Sequence, residues 1–250
     1  MTYMTYDSLY QSQDTLLQQI FAAESVLLPG STLILAGGTA LARCHLHHRI
    51  SWDLDFFVGG PFDPALLLRR LRDAGVALED PSQEVSGAFV TQLHGAAEVS
   101  GEVVNVSFVE DVFAGMFETT RCGVIRTEVI EGLYHRKLRT ITGTGEIRSA
   151  SGHVLGQGAR QKARDLFDLY VLEKTVQPID EFVRTINRHG ANLPVEALYQ
   201  GFAAMPWQDM IDEFEQLEVI EPFERIAAFE AKRHFDQALV HLSEPDENVR

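Results

Sequence analysis

The sequence predicts an α/β or α+β core followed by a mainly helical C-terminal part. Up to about residue 118, short apolar runs that suit buried strands alternate with amphipathic stretches that suit helices. Beyond that point helical patterns dominate and prolines separate them. With a hydrophobic share of 45% over 250 residues, the chain can bury a substantial core. We therefore expect one unit over residues 1–118 and a second over residues 119–250.

The first half predicts alternating helices and strands, each bounded by turn residues. Apolar side chains at helical spacing end at Pro29-Gly30, and an apolar run before two glycines is typical of a buried strand. Asp63-Pro64 has the pattern of a helix start. The predicted elements are helices over residues 9–28, 40–47 (with Thr39 as N-cap) and 64–73, and strands over 32–36, 50–58, 89–93 and 103–109.

The second half predicts helices around one loop. A short strand and then a helix are expected over residues 125–140, and a Gly/Ser-rich loop over 143–158. A strongly amphipathic helix is expected over residues 160–173, and the last long helix over 219–242.

Charge and cysteine content restrict the function classes. The net charge of −15 argues against a surface built for non-specific binding of nucleic acid. From Arg121 to Arg164, however, nine basic and three acidic residues give +6, which leaves −21 for the rest. This stretch suits local contact with a polyanion or is simply a solvated face.

Cellular location is also constrained. The two cysteines form neither a disulfide framework nor a paired zinc motif. The N-terminus lacks the pattern of a signal peptide, and no apolar run approaches the ~20 residues that span a bilayer. We expect a cytoplasmic protein without a membrane partner.

Two carboxylates on the 50–58 strand are the strongest candidates for chemistry. Asp53 and Asp55 stand two residues apart, so both project from one face. Burying unpaired carboxylates is costly, and a hard divalent cation such as Mg²⁺ (or Mn²⁺) resolves the conflict. A pair at a sheet edge facing water is the simpler alternative.

A glycine pair upstream favours the metal hypothesis. Gly37-Gly38-Thr39 lies between a predicted strand and a predicted helix. Glycines there let backbone N–H groups approach a phosphate, and a helix N-terminus favours negative charge. A tight turn that needs glycine only for its geometry is the alternative. Together, the loop and the Asp pair predict one nucleotide site that binds an NTP as substrate.

These residues resemble the AbiEii/AbiGii-type nucleotidyltransferase toxins of the DNA polymerase β-like superfamily. That family has a Gly-Gly-Ser/Thr loop, a His-Arg-x-Ser stretch and an Asp-x-Asp pair. Here these are Gly37-Gly38-Thr39, His48-Arg49-Ile50-Ser51 and Asp53-Leu54-Asp55, with about one extra residue between loop and pair. The resemblance implies a polymerase β-like core with a mixed sheet. It also implies that Arg49 and Ser51 join the loop in nucleotide binding.

A second match lies in the C-terminal half. The family has a helical lysine and then an Arg-Asp-x-x-Asp-Leu helix, matched here by Lys137 and by residues 164–169. The resemblance implies that Lys137 offers its charge to a nucleotide phosphate and that Asp165 orients the lysine or acts as a base. The alternative for the second motif is a surface ion pair between Arg164 and Asp168.

One feature departs from a complete two-metal site, and a histidine cluster raises a separate question. Many polymerase β-like enzymes carry a third carboxylate on a later strand, whereas the 103–109 strand offers Asn105 and Ser107. Either the third ligand is missing, or Glu110 or Asp165 supplies it. The cluster His45, His47 and His48 fits no familiar zinc spacing, and phosphate contact or bracing by His48 is the better interpretation.

The predicted activity is metal-dependent transfer of a nucleotidyl group from an NTP to an acceptor hydroxyl. The resemblance implies a toxin of a toxin–antitoxin pair, with an antitoxin partner and the acceptor end of tRNA as a target. The acidic remainder suits a cationic small molecule or a protein as acceptor instead. A catalytically silent nucleotide-binding module is a third hypothesis, supported only by the missing acid.

Overall fold

A computed structural model describes residues 4–84, 90–143, 145–148, 154–157 and 162–243. The chain forms two compact units, Met1–Leu133 and Tyr134–Arg250, and each is treated by itself below. The division after residue 118, made from the sequence, stays a prediction.

A five-stranded mixed sheet organises the N-terminal unit. Its strands stand in the order β1-β2-β5-β4-β3. β2 and β5 are parallel, and the other three neighbouring pairs are antiparallel. The strands are β1 (Leu33–Ala36), β2 (Leu54–Val58), β3 (Glu79–Glu84), β4 (Gln92–Val99) and β5 (Glu102–Glu110). The predicted α+β core with a mixed sheet is confirmed.

Helices cover one face of this sheet. They are α1 (Met4–Ala22), α2 (Glu24–Leu27), α3 (Gly37–Ala40), a π-helix over Leu41–His45 and α4 (Pro64–Asp73). Phe56 of β2 stacks on Phe108 of β5 at 5.1 Å between ring centroids, and Phe21 of α1 meets Phe56 edge-on at 5.8 Å. Because side chains alternate along a strand, burying Phe56 on this face turns Asp55 to the other.

The start of α4 confirms the predicted cap. The Asp63 carboxylate accepts hydrogen bonds from the backbone N–H groups of Ala65 (2.9 Å) and Leu66 (3.1 Å), and Pro64 occupies the first turn. Such a cap contributes about 1 kcal/mol to helix stability. It fixes the start of the connection from β2 to the rest of the sheet.

Several predicted elements need correction. Thr39 is not an N-cap, because the helix begins at Gly37 after an extended Ala36. The predicted 40–47 helix is π-helical over Leu41–His45, and regular pairing of β2 begins only at Leu54. The predicted 9–28 helix breaks at Ala23.

A two-stranded hairpin completes the N-terminal unit. It consists of β6 (Thr119–Cys122) and β7 (Ile125–Glu128), and β7 lies beside β1. Arg126 Nη1 lies 2.5 Å from the Glu24 carboxylate, which also accepts the Leu33 N–H at 2.9 Å. These contacts hold the hairpin to α2 and to the start of β1.

The C-terminal unit is mainly helical, as predicted. Its helices are α5 (Ile130–Thr142), which contains the boundary between the units, α6 (Ala163–Thr175), α7 (Ile179–Arg188), α8 (Val195–Ala203), α9 (Ile211–Glu215) and α10 (Ala228–Ser243). Tyr134 stacks on Phe182 at 4.1 Å between centroids, which joins α5 to α7. Among the described residues, no helix is long and apolar enough to cross a membrane.

Two predictions for this unit are wrong in part. The predicted 143–158 loop contains a hairpin of β8 (Gly145–Arg148) and β9 (Val154–Gln157), while residues 144, 149–153 and 158 lie outside the described residues. The last helix starts at Ala228 rather than at residue 219.

Candidate active site

Polar residues cross the face of the sheet opposite Phe56 in two rows. Strand register places Asp55, Ser107, His94 and Ser82 side by side on β2, β5, β4 and β3. In the second row, Asn105 is opposite Ala96, which is opposite Glu79. The predicted Asp pair therefore lies at one end of a polar surface that spans four strands.

Hydrogen bonds from β5 fix both catalytic candidates. The Ser107 hydroxyl donates to Asp55 Oδ1 at 2.6 Å, and the Asn105 amide donates to Asp53 Oδ1 at 3.1 Å. Both carboxylates are half-buried. Asn105 and Ser107 stand where the sequence raised the question of a third carboxylate, and here they orient the first two.

An open pocket of about 390 Å³ lies over these rows. That volume falls in the range of small-molecule sites, roughly 300–1,000 Å³. The lining residues all belong to the described chain and contain no lysine or arginine. They are Asp53, Asp55, Glu79, Asp80, Ser82, His94, Gly95, Ala96, Asn105, Val106 and Ser107. Four carboxylates make the pocket strongly acidic.

The glycine pair is required by what packs against it. Gly37 has a φ of +69°, and a Cβ there would lie 2.8 Å from Asp55 Oδ2. A Cβ on Gly38 would collide with the Arg49 guanidinium. The absence of side chains at residues 37 and 38 thus lets the Asp55 carboxylate and the buried Arg49 guanidinium lie directly against the loop.

Three predicted nucleotide contacts are buried under the Asp pair. Thr39, Arg49 and Ser51 are each 5% exposed or less. The Thr39 hydroxyl donates to the backbone carbonyl of Asp53, and Ser51 Oγ lies 2.8 Å from Thr39 Oγ1. Because a hydroxyl has one proton, Ser51 donates to Thr39. Arg49 Nη1 donates to the Ile50 carbonyl at 2.9 Å. In this structure the three side chains support the backbone that precedes and contains Asp53.

Gln13 gives further support to the same backbone, and the sequence did not identify it. Its fully buried amide donates to the carbonyls of Ser51 (2.9 Å) and Trp52 (3.1 Å). Arg43 Nη1 in turn donates to Gln13 Oε1 at 3.1 Å. One signal was present in the sequence: Gln13 is a polar residue four positions after Leu9, on the apolar face of α1.

Lys137 and Asp165 meet in the C-terminal unit, as the resemblance implied. Lys137 Nζ lies 2.6 Å from Asp165 Oδ1 and 2.7 Å from Asp168 Oδ2. All three side chains are at most 3% exposed. The Asp168 carboxylate is buried beside the lysine, so it does not lie at the surface as the alternative interpretation of this motif assumed.

The two candidates for a third carboxylate have other partners. Glu110 lies three residues beyond Ser107 on β5, so alternation turns it away from Asp55, and its Oε2 accepts the Thr91 N–H at 3.3 Å. Asp165 Oδ1 contacts Lys137 Nζ at 2.6 Å. Within the described residues, no group of three or more His, Cys, Asp or Glu side chains could hold a metal.

Two of the three clustered histidines, His45 and His48, are partly or fully buried, whereas His47 is exposed. His45 Nε2 lies 3.2 Å from the Glu128 carbonyl, and burial lowers the pKa of His45. His48 is fully buried. This arrangement agrees with the bracing interpretation of His48 better than with a zinc site.

The sequence did not predict that Glu79 and Asp80 line the pocket as an acidic wall, because it did not predict β3. Its sequence, EDPSQE, has little β propensity and contains a proline. β3 stands at the sheet edge, the position where a strand tolerates proline.

Comparison with known proteins identifies the family. The family model described as nucleotidyl transferase AbiEii toxin, type IV TA system, matches residues 20–239. No curated protein matches this chain. The crystal structure of JHP933 from Helicobacter pylori is 17% identical with a TM-score of 0.54, and the likeness covers 94% of this chain and 92% of that one. The toxin MenT4 from Mycobacterium tuberculosis H37Rv is 16% identical with a TM-score of 0.48, over 94% and 84%.

The family match covers most of the chain, and the likeness to JHP933 supports the fold. The chain is a nucleotidyltransferase and belongs to the AbiEii nucleotidyltransferase toxin family.

Proposed function

We propose that the chain transfers a nucleotidyl group from an NTP to an acceptor hydroxyl, with Asp53 and Asp55 as the catalytic carboxylates. The observation that carries the proposal is their placement: both lie at an open pocket, and Asn105 and Ser107 fix their orientation. Positioned negative charge of this kind is what metal-assisted phosphoryl chemistry requires.

The residues present fit a hard divalent cation, Mg²⁺ or Mn²⁺. Asp53 and Asp55 offer carboxylate oxygens on one face of the sheet, and such cations prefer oxygen ligands. When bound, the ion would neutralise triphosphate charge and activate the attacking hydroxyl. With two carboxylates alone, water and phosphate oxygens would complete the coordination, as is usual for Mg²⁺.

The loop and its supports would hold the triphosphate side. Gly37 and Gly38 would present backbone N–H groups, while Thr39 and Ser51 keep Asp53 in place from below. Arg49 would add positive charge under the loop, at the position where Gly38 leaves room for it. Lys137 and Asp165 complete the proposed catalytic set as a buried pair.

RNA is the proposed acceptor, with the acceptor end of tRNA as the first candidate. Membership of a toxin family supports a macromolecular target and an antitoxin partner. From the basic stretch, exposed members such as Arg121 and Lys162 support contact with a polyanion, whereas Lys137 and its neighbours Arg136 and Arg139 are buried.

One observation favours a different acceptor. Glu79 and Asp80 add two carboxylates to the pocket, and its lining has no lysine or arginine to offset them. An acidic wall repels phosphodiesters and attracts amines. A cationic small molecule or a basic protein segment is therefore the second candidate.

The test is a transfer assay with labelled NTPs and Mg²⁺. Total RNA, purified tRNA, a protein extract and a polyamine would be offered as acceptors to the wild type and to Asp53→Asn and Asp55→Asn. Asp236→Asn, which changes an exposed carboxylate in the C-terminal unit, is the matched control. Labelled RNA that both active-site variants lose supports the proposal.

Each other outcome has a defined meaning. Label on protein or polyamine replaces RNA with the second candidate. NTP binding without transfer to any acceptor overturns the catalytic proposal and leaves a nucleotide-binding module. Thermal melting of all variants separates loss of activity from loss of fold.

A further inference from the structure

The only two cysteines of the chain meet in the N-terminal unit, although 78 positions separate them. Cys44 lies in the π-helix over Leu41–His45, and Cys122 is the last residue of β6. Both are half-buried free thiols. The structure thus pairs the two thiols on different elements without burying either of them fully.

Two observations place the sulfurs together. The Cys122 Sγ lies 3.9 Å from the backbone carbonyl oxygen of Arg43, the residue before Cys44. The Cys44 and Cys122 thiols are also in hydrogen-bonding contact with each other, and burial, followed by this contact, raises the pKa of Cys44. His45 Nε2 also contacts the Glu128 carbonyl at the end of β7, so the same hairpin and π-helix are already held together beside the thiols.

We propose that Cys44 and Cys122 form a redox modification site, in which a small-molecule disulfide oxidises the two thiols to an intramolecular disulfide. In the first step the Cys122 thiolate attacks one sulfur of the reagent, forms a mixed disulfide and releases one thiol. The Cys44 sulfur then attacks Cys122, forms the protein disulfide and releases the second thiol. The protein loses two protons and two electrons, and the reagent is reduced to two thiols.

The order of attack follows from the environments of the thiols. Cys44 stays protonated at neutral pH because burial raises its pKa, so it is a poor first nucleophile. Once Cys122 carries the mixed disulfide, Cys44 is held beside it and reacts intramolecularly.

The disulfide would disturb the hydrogen bonds that hold the backbone just before Asp53. Its sulfurs must approach to about 2 Å, closer than two contacting thiols, so the π-helix and β6 are drawn together. Arg43 lies in that π-helix and donates to Gln13, which in turn holds the carbonyls of Ser51 and Trp52. We expect slower nucleotidyl transfer in the oxidised form. This consequence rests on the proposed function, but the disulfide does not.

The experiment treats the native full-length chain with oxidised glutathione and then alkylates free thiols. Wild type is expected to lose two hydrogens by intact mass, to carry no alkyl group and to give a linked peptide containing Cys44 and Cys122. A dithiol reductant should restore both thiols. Cys44→Ser and Cys122→Ser are matched controls that can form only adducts or dimers.

The outcomes separate the two claims. Stable glutathione adducts, alkylated thiols or disulfide-linked dimers of wild type would overturn the redox site. A disulfide that forms equally fast in urea would show that the fold does not pair the thiols, and would overturn it as well. In a further outcome, the disulfide forms in wild type while oxidant changes the transfer rates of wild type and of Cys44→Ser by the same factor. That result refutes the effect on activity and leaves the proposed function untouched.

Discussion

Replacing Gly37 by alanine tests whether the glycine loop exists to accommodate the Asp55 carboxylate. The residue has a φ of +69°, where non-glycine residues are strained, and the added Cβ would lie 2.8 Å from Asp55 Oδ2. The carboxylate cannot withdraw freely, because Ser107 holds its other oxygen at 2.6 Å.

The expected magnitudes follow from these distances. Backbone strain should lower the free energy of unfolding by about 1–2 kcal/mol. Ordinary non-bonded contacts lie near 3.5 Å, so the carboxylate must move by about 0.7 Å. A misplacement of about 1 Å in a catalytic group costs on the order of 100-fold, and we expect a loss of roughly 10- to 100-fold in kcat.

Gly75→Ala is the matched control. Gly75 has a φ of +86°, but a Cβ there would have no atom within 4 Å. It should therefore show similar strain in chemical denaturation and unchanged transfer of labelled nucleotide. If Gly37→Ala retains the activity of Gly75→Ala, the close approach of Asp55 does not matter for catalysis and the reasoning fails.

Two further predictions concern buried groups of the C-terminal unit. Lys137→Ala should lower the free energy of unfolding by about 3–5 kcal/mol, because it removes a buried cation that contacts two buried carboxylates. Lys232→Ala breaks an exposed pair of similar length and should lower the free energy of unfolding by under about 1 kcal/mol. Equal losses in urea titrations would contradict the burial argument. Burial, and then the charges of Arg139 and Arg136, lower the pKa of His135 to about 3. Below about pH 6.5 the unfolded chain therefore binds a proton at this histidine that the folded chain does not. The free energy of unfolding falls as the pH falls through that value. Between pH 7.5 and 5.5 wild type should lose roughly 1 kcal/mol more than His135→Gln; parallel curves would show that His135 is not the group responsible.

The structure agrees with the predicted placement of side chains where the prediction depended on local pattern. Alternation along β2 placed Asp53 and Asp55 on one face, and the Asp63-Pro64 start of α4 followed from cap chemistry. Such features depend on neighbours within a few residues, so a single sequence contains them. The Thr39 cap failed because the nearest partner of its hydroxyl is the Asp53 carbonyl, 14 residues away.

Contacts between residues far apart in the sequence give several candidate residues surroundings that the sequence did not predict. Lys137 was expected to offer its charge to phosphate, yet tertiary packing buries it between Asp165 and Asp168. The pairing of Asp53 with Asn105 joins residues 52 positions apart. No local pattern encodes either contact.

The sequence by itself determined the family, the Asp pair and the glycine loop, because short motifs with fixed spacing carry that chemistry. Only the tertiary structure decided what surrounds them. It placed Asn105 and Ser107 in hydrogen-bonding contact with the two carboxylates, brought Glu79 and Asp80 to the pocket on an edge strand, and placed Cys44 beside Cys122. The physical reason is strand register and helix packing: both set distances between residues far apart in the chain, and neither is written in any one segment.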